Sequence, residues 1–165
     1  MSRLRRFYTE GNVYFITCVT HERMPILVAN SDLIVGPIFE MQKRLVFSVE
    51  AWVILPEHFH AIVTPTRSNL STVVQSLKQS FSMNYRKRCC VTGKVWQLRF
   101  WDHVIRNDLD MMRHIDYIHY NPVKHGLVED ASEYPLSSVG SHPASVDRII
   151  LSAGIELDPK WEYGE

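Results

Sequence analysis

Cysteine pairs and long apolar runs are the features that this sequence of 165 residues has least of. Its three cysteines include two adjacent ones and no CxxC pair, which excludes a disulfide framework and a thiolate zinc site. Apolar runs such as residues 52–55 are far shorter than the roughly 20 residues that cross a bilayer, and the N-terminus shows no apolar signal segment. We therefore expect a reduced, cytoplasmic protein of about one domain.

Net charge is also absent, because 18 basic side chains balance 18 acidic ones. The charges are unevenly placed, since residues 1–128 contain 16 Lys and Arg against 10 Asp and Glu, whereas residues 129–165 contain 2 against 8. A basic body favours a polyanionic partner such as nucleic acid. We divide the chain into this body and an acidic, partly irregular tail, residues 129–165, which either packs on the body or trails from it.

Hydrophobic periodicity and turn signals predict four strands and three helices. The strands are predicted at 13–20, 47–55 and 58–64, with a fourth extended segment over 95–101 and 103–106. The helices are predicted at 32–44, at 71–88 and from 107 to about 120, where Pro122 is expected to end the last one. This order matches the split βαβ pattern of ferredoxin-like domains with an added helix. We therefore predict an α+β fold, in which an antiparallel sheet has helices on one face and is followed by a C-terminal helix and an irregular tail.

Two histidines stand two positions apart in the predicted third strand, which reads His58-Phe59-His60. Side chains alternate between the faces of a strand, so both imidazoles project together while Phe59 turns to the opposite face. Two neutral imidazoles on one face make half of a site for a divalent metal. The alternative is a half-exposed strand that carries two histidines without a metal.

The predicted third helix places polar side chains on one face. The apolar residues at helical spacing, expected to form its buried stripe, are Met111, Ile115 and Ile118. His114, Tyr117 and Asn121 share the neighbouring face, with Tyr117 and Asn121 one turn apart. Phosphodiester cleavage by a tyrosine requires an attacking phenol and a metal that neutralises phosphate charge. The alternative is that Tyr117 packs at the margin of the core with a solvated hydroxyl.

Four blocks of the sequence, in order, resemble the single-tyrosine HUH transposases of the REP-associated kind (RAYT). These proteins are relatives of the small single-strand transposases of bacterial insertion sequences, and REP denotes repetitive extragenic palindromes. The blocks are Arg5-Arg6 with Tyr8 and Gly11, residues 51–60 (AWVILPEHFH), residues 95–107 (VWQLRFWDHVIRN) and residues 116–126 (DYIHYNPVKHG). The resemblance implies a ferredoxin-like fold, with residues 1–128 as the catalytic domain.

The resemblance also implies the roles of particular residues. His58 and His60 are the expected ligands of Mg²⁺ or Mn²⁺, and Tyr117 is the expected nucleophile, forming a 5′-phosphotyrosine on single-stranded DNA. Asn121 stands where the insertion-sequence relatives have a glutamine, one methylene longer, and is the expected third ligand, with water and DNA oxygens in the remaining positions. Glu57 is expected to serve as an alternative ligand or to contact the ligands from behind. His114 or His119 is expected to orient the phenol.

Several basic and aromatic side chains are candidates for DNA contact. They are Arg3, Arg5, Arg6, Trp96, Arg99, Arg106 and Lys124. Aromatic rings stack on unpaired bases and basic groups contact phosphates. The alternative is that the aromatic residues belong to the core and that the N-terminal arginines are simply solvated.

The sequence therefore predicts an enzyme that binds hairpin-bearing single-stranded DNA and cleaves and rejoins it. We expect it to act on repetitive extragenic palindromes or element ends, as a monomer or homodimer, in the bacterial cytoplasm near the nucleoid. The alternative function is a binding module for structured single-stranded nucleic acid, with the same fold and no turnover.

Overall fold

The computed structural model describes residues 11–45 and 47–142, and within them four strands and three α-helices follow the predicted order. The strands are β1 (Tyr14–Val19), β2 (Phe47–Ile54), β3 (His58–Pro65) and β4 (Trp101–Val104). The helices are α1 (Asp32–Leu45), α2 (Leu70–Cys89) and α3 (Asp108–Lys124). The N-terminal arginines that are predicted to contact DNA, Arg3, Arg5 and Arg6, lie outside the described residues, as does the tail from residue 143 onward.

The four strands form one sheet in the order β2-β3-β1-β4, and every pairing is antiparallel. Pro56 and Glu57 interrupt the apolar run between β2 and β3, and the backbone N–H of Leu55 donates to the oxygen of His58 over 2.9 Å, which closes a tight hairpin. β1 and β3 occupy the centre of the sheet, where their β-branched and aromatic residues are buried on both faces. The α+β, ferredoxin-like prediction is confirmed.

Alternation along the strands divides the core into two clusters. Tyr14, Ile16 and Cys18 of β1 pack with Phe59 under α1 and α2, whereas Phe15 packs on the opposite face against α3. The first two helices therefore cover one face of the sheet, as predicted, and the added helix covers the other. This second face is the one that receives the two imidazoles.

Helix α3 continues past the proline that was expected to end it. Pro122 lacks a backbone N–H and so removes one hydrogen bond of the helix, but the N–H of His125 still donates to the oxygen of Asn121 over 3.0 Å and closes a further turn. Gly126, with φ of 65°, follows in the left-handed conformation that commonly ends helices. The prediction that this helix stops near Tyr120 was wrong, and Lys124 is part of it.

The predicted fourth strand is shorter than its apolar pattern. Only Trp101–Val104 pairs with β1 as a strand, and Trp96 contributes an isolated bridge to Thr20. Gln97, Leu98 and Arg99 between them are exposed, with Leu98 at 96% exposure, whereas Phe100 is partly buried against the core. Apolar composition alone did not distinguish a paired strand from a loop in this segment.

The beginning of the acidic segment is packed along the outer edge of β2. Backbone hydrogen bonds of 2.9 Å join Ile54 N–H to Leu136 oxygen and Ser138 N–H to Trp52 oxygen. The buried hydroxyl of Tyr134 donates to the oxygen of Ile54 over 2.8 Å. Within the described residues, no helix has the length and apolar character that a membrane crossing needs.

Candidate active site on the face of the sheet beneath α3

His58 and His60 lie side by side on β3 beneath α3. Both side chains are fully buried and their ring centroids are 4.8 Å apart, whereas Phe59 belongs to the cluster on the other face. Strand alternation explains why the two imidazoles share a face. The half-exposed strand considered as an alternative does not fit these residues, because neither ring reaches solvent.

Each imidazole is held through its Nδ1 atom. Thr17 Oγ1 is 2.8 Å from Nδ1 of His60, and a Glu57 carboxylate oxygen accepts a hydrogen bond from Nδ1 of His58 over 3.3 Å. An imidazole that donates through Nδ1 keeps a lone pair on Nε2. The two Nε2 atoms and Asn121 Oδ1 are buried and make no hydrogen bond, although all three residues have other contacts. Two nitrogen donors and one amide oxygen form a set that suits a divalent cation.

The electrostatic surroundings favour neutral imidazole at His60. Burial lowers the pKa of His60 well below its usual value, and the positive charges of Lys124 and His125 lower it further. A metal-ligating histidine must be deprotonated, so this environment suits a ligand.

Tyr117 brings a phenol to the imidazole pair from α3. Its ring centroid is 5.4 Å from that of His60 and 6.0 Å from that of Phe15, both in edge-to-face arrangements. The side chain is fully buried, and the Nδ2 of Asn121, one turn later, donates to the backbone oxygen of Tyr117 over 3.5 Å. Tyr117 is thus a buried packing residue whose ring lies beside the imidazole pair.

The buried face of α3 differs from the predicted stripe. Ile118 is buried as expected, but Met111 and Ile115 are only partly buried. The face predicted to be polar, His114, Tyr117 and Asn121, is the one that is turned inward. The reason is that Phe15 and the imidazoles on the sheet offer ring contacts and polar partners to that face, which hydrophobic periodicity cannot register.

Lys124 and His125 complete this end of the site. Lys124 Nζ donates to the phenolic oxygen of Tyr117 over 3.3 Å, and the ring of His125 lies 5.3 Å from that of His58. Burial lowers the pKa of Lys124 and, together with the charge of Lys124, that of His125. Sequence reasoning did not single out His125, although its place four residues after Asn121 puts it on the same helical face.

The expected supporting residues lie in different places. Glu57 is beside His58 and also 3.6 Å from a guanidinium nitrogen of Arg23. His119 is buried on the side facing residues 131–142, where its Nε2 is 2.9 Å from Ser138 Oγ. The position of Glu57 therefore suits its expected role behind the ligands, whereas His119 bridges α3 and the segment along β2.

His114 belongs to a separate group with His103 and Asp110, whose candidate ligand atoms lie within 4.8 Å of one another. Asp110 Oδ2 is 3.0 Å from His103 Nε2, and Nδ1 of His114 donates to the backbone oxygen of Asp110 over 2.8 Å. The two imidazoles stack with centroids 4.8 Å apart. Because both histidines already bond to Asp110, the group ties β4 to the first turns of α3.

The candidate DNA contacts among the described residues differ in their exposure. Arg99, Arg106 and Lys124 are exposed, as phosphate contacts must be. Trp96 is buried under α2, where its ring meets Phe81 at 5.2 Å and its Nε1 donates to the oxygen of Lys78 over 3.1 Å. The alternative of a core residue fits Trp96 better than stacking on a DNA base.

Comparison with known proteins connects this geometry to a family. Residues 9–120 match the family described as "Transposase IS200 like". The chain is 36% identical over 141 residues to the "REP-associated tyrosine transposase" of Escherichia coli (strain K12), which covers 84% of this chain and 82% of that protein. A Haemophilus influenzae protein provisionally given the same name is 34% identical over 150 residues, covering 84% of this chain and 85% of its own.

A solved structure is similar over the whole chain. It is described as "Structure of the REP associates tyrosine transposase bound to a REP hairpin" and aligns with a TM-score of 0.74 at 31% sequence identity. The alignment covers 100% of this chain and 94% of the other.

Proposed function

This chain belongs to the IS200-like transposase family, and from that premise we propose that it cleaves and rejoins hairpin-bearing single-stranded DNA through a 5′-phosphotyrosine on Tyr117. Family membership makes the protein a DNA-processing enzyme. The observation that best supports the finer mechanism is the packing of Tyr117 against His60, with ring centroids 5.4 Å apart. The residue types needed for metal-assisted attack by a phenol meet in one place.

His58, His60 and Asn121 are the residues that would hold the cation, which we expect to be Mg²⁺ or Mn²⁺. The donor set fits, because Thr17 and Glu57 engage the Nδ1 atoms and leave the Nε2 atoms for coordination. A bound divalent cation would supply positive charge to the phosphate under attack. Water and DNA oxygens would occupy its remaining positions.

The covalent step conserves the phosphodiester energy. The phenolic oxygen of Tyr117 bonds to phosphorus as the bond from phosphorus to the 3′ oxygen breaks; the phenolic proton leaves to solvent, and the 3′ oxygen takes up a proton. Rejoining is the reverse reaction with another 3′ hydroxyl. The rigid packing of the Tyr117 ring in an apolar cluster fixes the direction of its oxygen, which lowers the entropic cost of attack.

The substrate is proposed from the relative whose solved structure is bound to a REP hairpin. Exposed Arg99 and Arg106 would contact phosphates along the hairpin, whereas exposed Lys124, beside Tyr117, would face the phosphate under attack. The DNA contacts of the N-terminal arginines Arg3, Arg5 and Arg6 remain a prediction from the sequence. We propose that the protein acts as a monomer or a homodimer. We also propose that it acts in the bacterial cytoplasm, at the nucleoid.

The second candidate is a non-catalytic binding module. The observation that favours it is the complete burial of Tyr117, which a purely structural tyrosine would also show. The two candidates differ in whether a covalent bond between protein and DNA forms.

The test compares two tyrosines of α3. Tyr117→Phe keeps the ring and removes only the oxygen, and Tyr120→Phe makes the same change at a partly exposed position three residues later. Each variant is incubated with a labelled hairpin oligonucleotide and Mn²⁺, and adducts are resolved on a denaturing gel. We expect the wild type and Tyr120→Phe to form the adduct, and Tyr117→Phe to bind the hairpin without forming it. Adduct formation by Tyr117→Phe would refute the nucleophile assignment, and binding without any adduct from the wild type would favour the binding module.

A further inference from the structure

Lys124 lies over the phenol of Tyr117. Its Nζ is 3.3 Å from the phenolic oxygen and 5.1 Å from the centre of the ring. The two residues are seven positions apart, about two turns of helix, and so share one face of α3. Lys124 is in this place because the helix continues beyond Pro122. The extra turn brings an ammonium group to the nucleophilic oxygen.

We propose that Lys124 is a catalytic residue, whose ammonium holds the oxygen of Tyr117 and neutralises charge that develops between this oxygen and the phosphate it attacks. This inference rests on the proposed function. As the bond from Tyr117 to phosphorus forms and the bond to the 3′ oxygen breaks, the phenolic proton passes to solvent and the leaving oxygen takes a proton from water. Lys124 remains protonated throughout and transfers no proton.

Two features of Lys124 fit this role: its exposure to an approaching phosphate and the burial around its ammonium. Tyr117 is fully buried whereas Lys124 is exposed, so a phosphate that approaches along the lysine meets the ammonium before it meets the phenol. Although the side chain as a whole is exposed, burial around its ammonium, which lies against the Tyr117 phenol, lowers the pKa of Lys124. Such a cation gains more from an anionic oxygen than a fully solvated one does.

A catalytic cation and a simple DNA contact have different kinetic consequences. A contact to the DNA backbone stabilises the bound substrate and the transition state equally, and its loss appears in hairpin affinity. A cation that touches the attacking oxygen strengthens its interaction as charge develops, and its loss appears in the rate at saturating DNA. The two roles of Lys124 can therefore be separated.

The experiment measures hairpin affinity and, at saturating hairpin, the rate of adduct formation. Lys124→Met removes the charge and keeps most of the side-chain length, whereas Lys124→Arg keeps the charge. Lys43→Met, at an exposed position of α1, makes the same change as a matched control. We expect Lys124→Met to lower the rate by about 10²-fold, the usual cost of removing one donor to developing charge. Its hairpin affinity should change little, Lys124→Arg should recover part of the rate, and Lys43→Met should match the wild type.

Two results would overturn the proposal. One is a loss of hairpin affinity and of its salt dependence in Lys124→Met with an unchanged rate at saturation, which describes a phosphate contact. The other is that Lys124→Met and Lys124→Arg lose the rate equally and both show a lower melting temperature, because the rate loss would then come from unfolding of the protein. If Tyr117→Phe abolishes the adduct and Lys124→Met does not slow it, only the role of Lys124 fails. If the wild type forms no adduct, the proposed function fails with it.

Discussion

Thr17→Val tests how the sheet prepares His60 for a metal. Valine keeps the shape of threonine but removes the hydroxyl that lies 2.8 Å from His60 Nδ1, where both residues are buried. A buried polar atom that loses its partner costs about 1–3 kcal/mol of stability. We expect the Thr17 hydroxyl to accept a hydrogen bond from Nδ1 of His60; without it the imidazole proton can move to Nε2, the atom that the metal needs. Losing such a supporting bond typically lowers metal affinity about 10–100-fold, which is about 1.4–2.8 kcal/mol.

Two measurements on Thr17→Val separate these effects. Calorimetric titration with Mn²⁺ gives the metal affinity, and urea unfolding without metal gives the stability. Thr64→Val, a half-buried threonine four residues beyond His60 on β3, is the matched control and should leave the Mn²⁺ affinity unchanged. A fall in stability with wild-type Mn²⁺ affinity would refute the reasoning, because it would show that Thr17 does not act on a metal ligand.

Two further predictions concern the support of α3 and β2. Burial is the main reason that the pKa of His114 lies below its ordinary value of 6.5, outweighing the hydrogen bond to the Asp110 backbone and adding to the effect of His103. The folded state therefore resists protonation of His114, so its contribution to stability is present above pH 6.5 and is lost on acidification, by at most about 1.4 kcal/mol per pH unit. His114→Gln should show a shallower fall in unfolding free energy between pH 7 and pH 5, and an unchanged slope would contradict this. Tyr134→Phe removes the buried hydrogen bond to Ile54 and should cost about 1 kcal/mol in urea unfolding; a stability equal to that of the wild type would show that water replaces this bond.

The sequence carried enough information for the order of elements and for the shared face of the two imidazoles. Both depend on local rules: apolar periodicity selects helix or strand, and strand alternation places His58 and His60 together with Phe59 opposite. The fold class followed from the order of these elements, and the comparison with a solved relative agrees with it.

Contacts between residues that are far apart in the sequence could not be predicted from these local rules. Thr17 meets His60 only because β1 and β3 are neighbours in a particular register, and that register is set by pairing across the sheet. The inward turn of His114 and Tyr117 depends on what the sheet offers to α3. Periodicity records the apolar content of a helix face, and so it placed the buried stripe on Met111, Ile115 and Ile118 and gave no sign that the neighbouring polar face is buried.

The contact of Lys124 with Tyr117 depends on a helical turn that the proline rule did not predict. Proline usually ends a helix, and an end near Tyr120 would have left Lys124 in a loop. Here the bond from His125 to Asn121 keeps the last turn, so Lys124 reaches the phenol. A basic residue two turns after a candidate nucleophile is a signal that could have indicated this contact.

The central claim is that a divalent cation binds between His58 and His60 beside the oxygen of Tyr117. The most direct test is a crystal grown with Mn²⁺ and a hairpin oligonucleotide, in which anomalous scattering locates the ion. We predict a strong anomalous peak coordinated by Nε2 of both histidines and by Oδ1 of Asn121. A peak among His103, Asp110 and His114 with none between His58 and His60 would contradict the account.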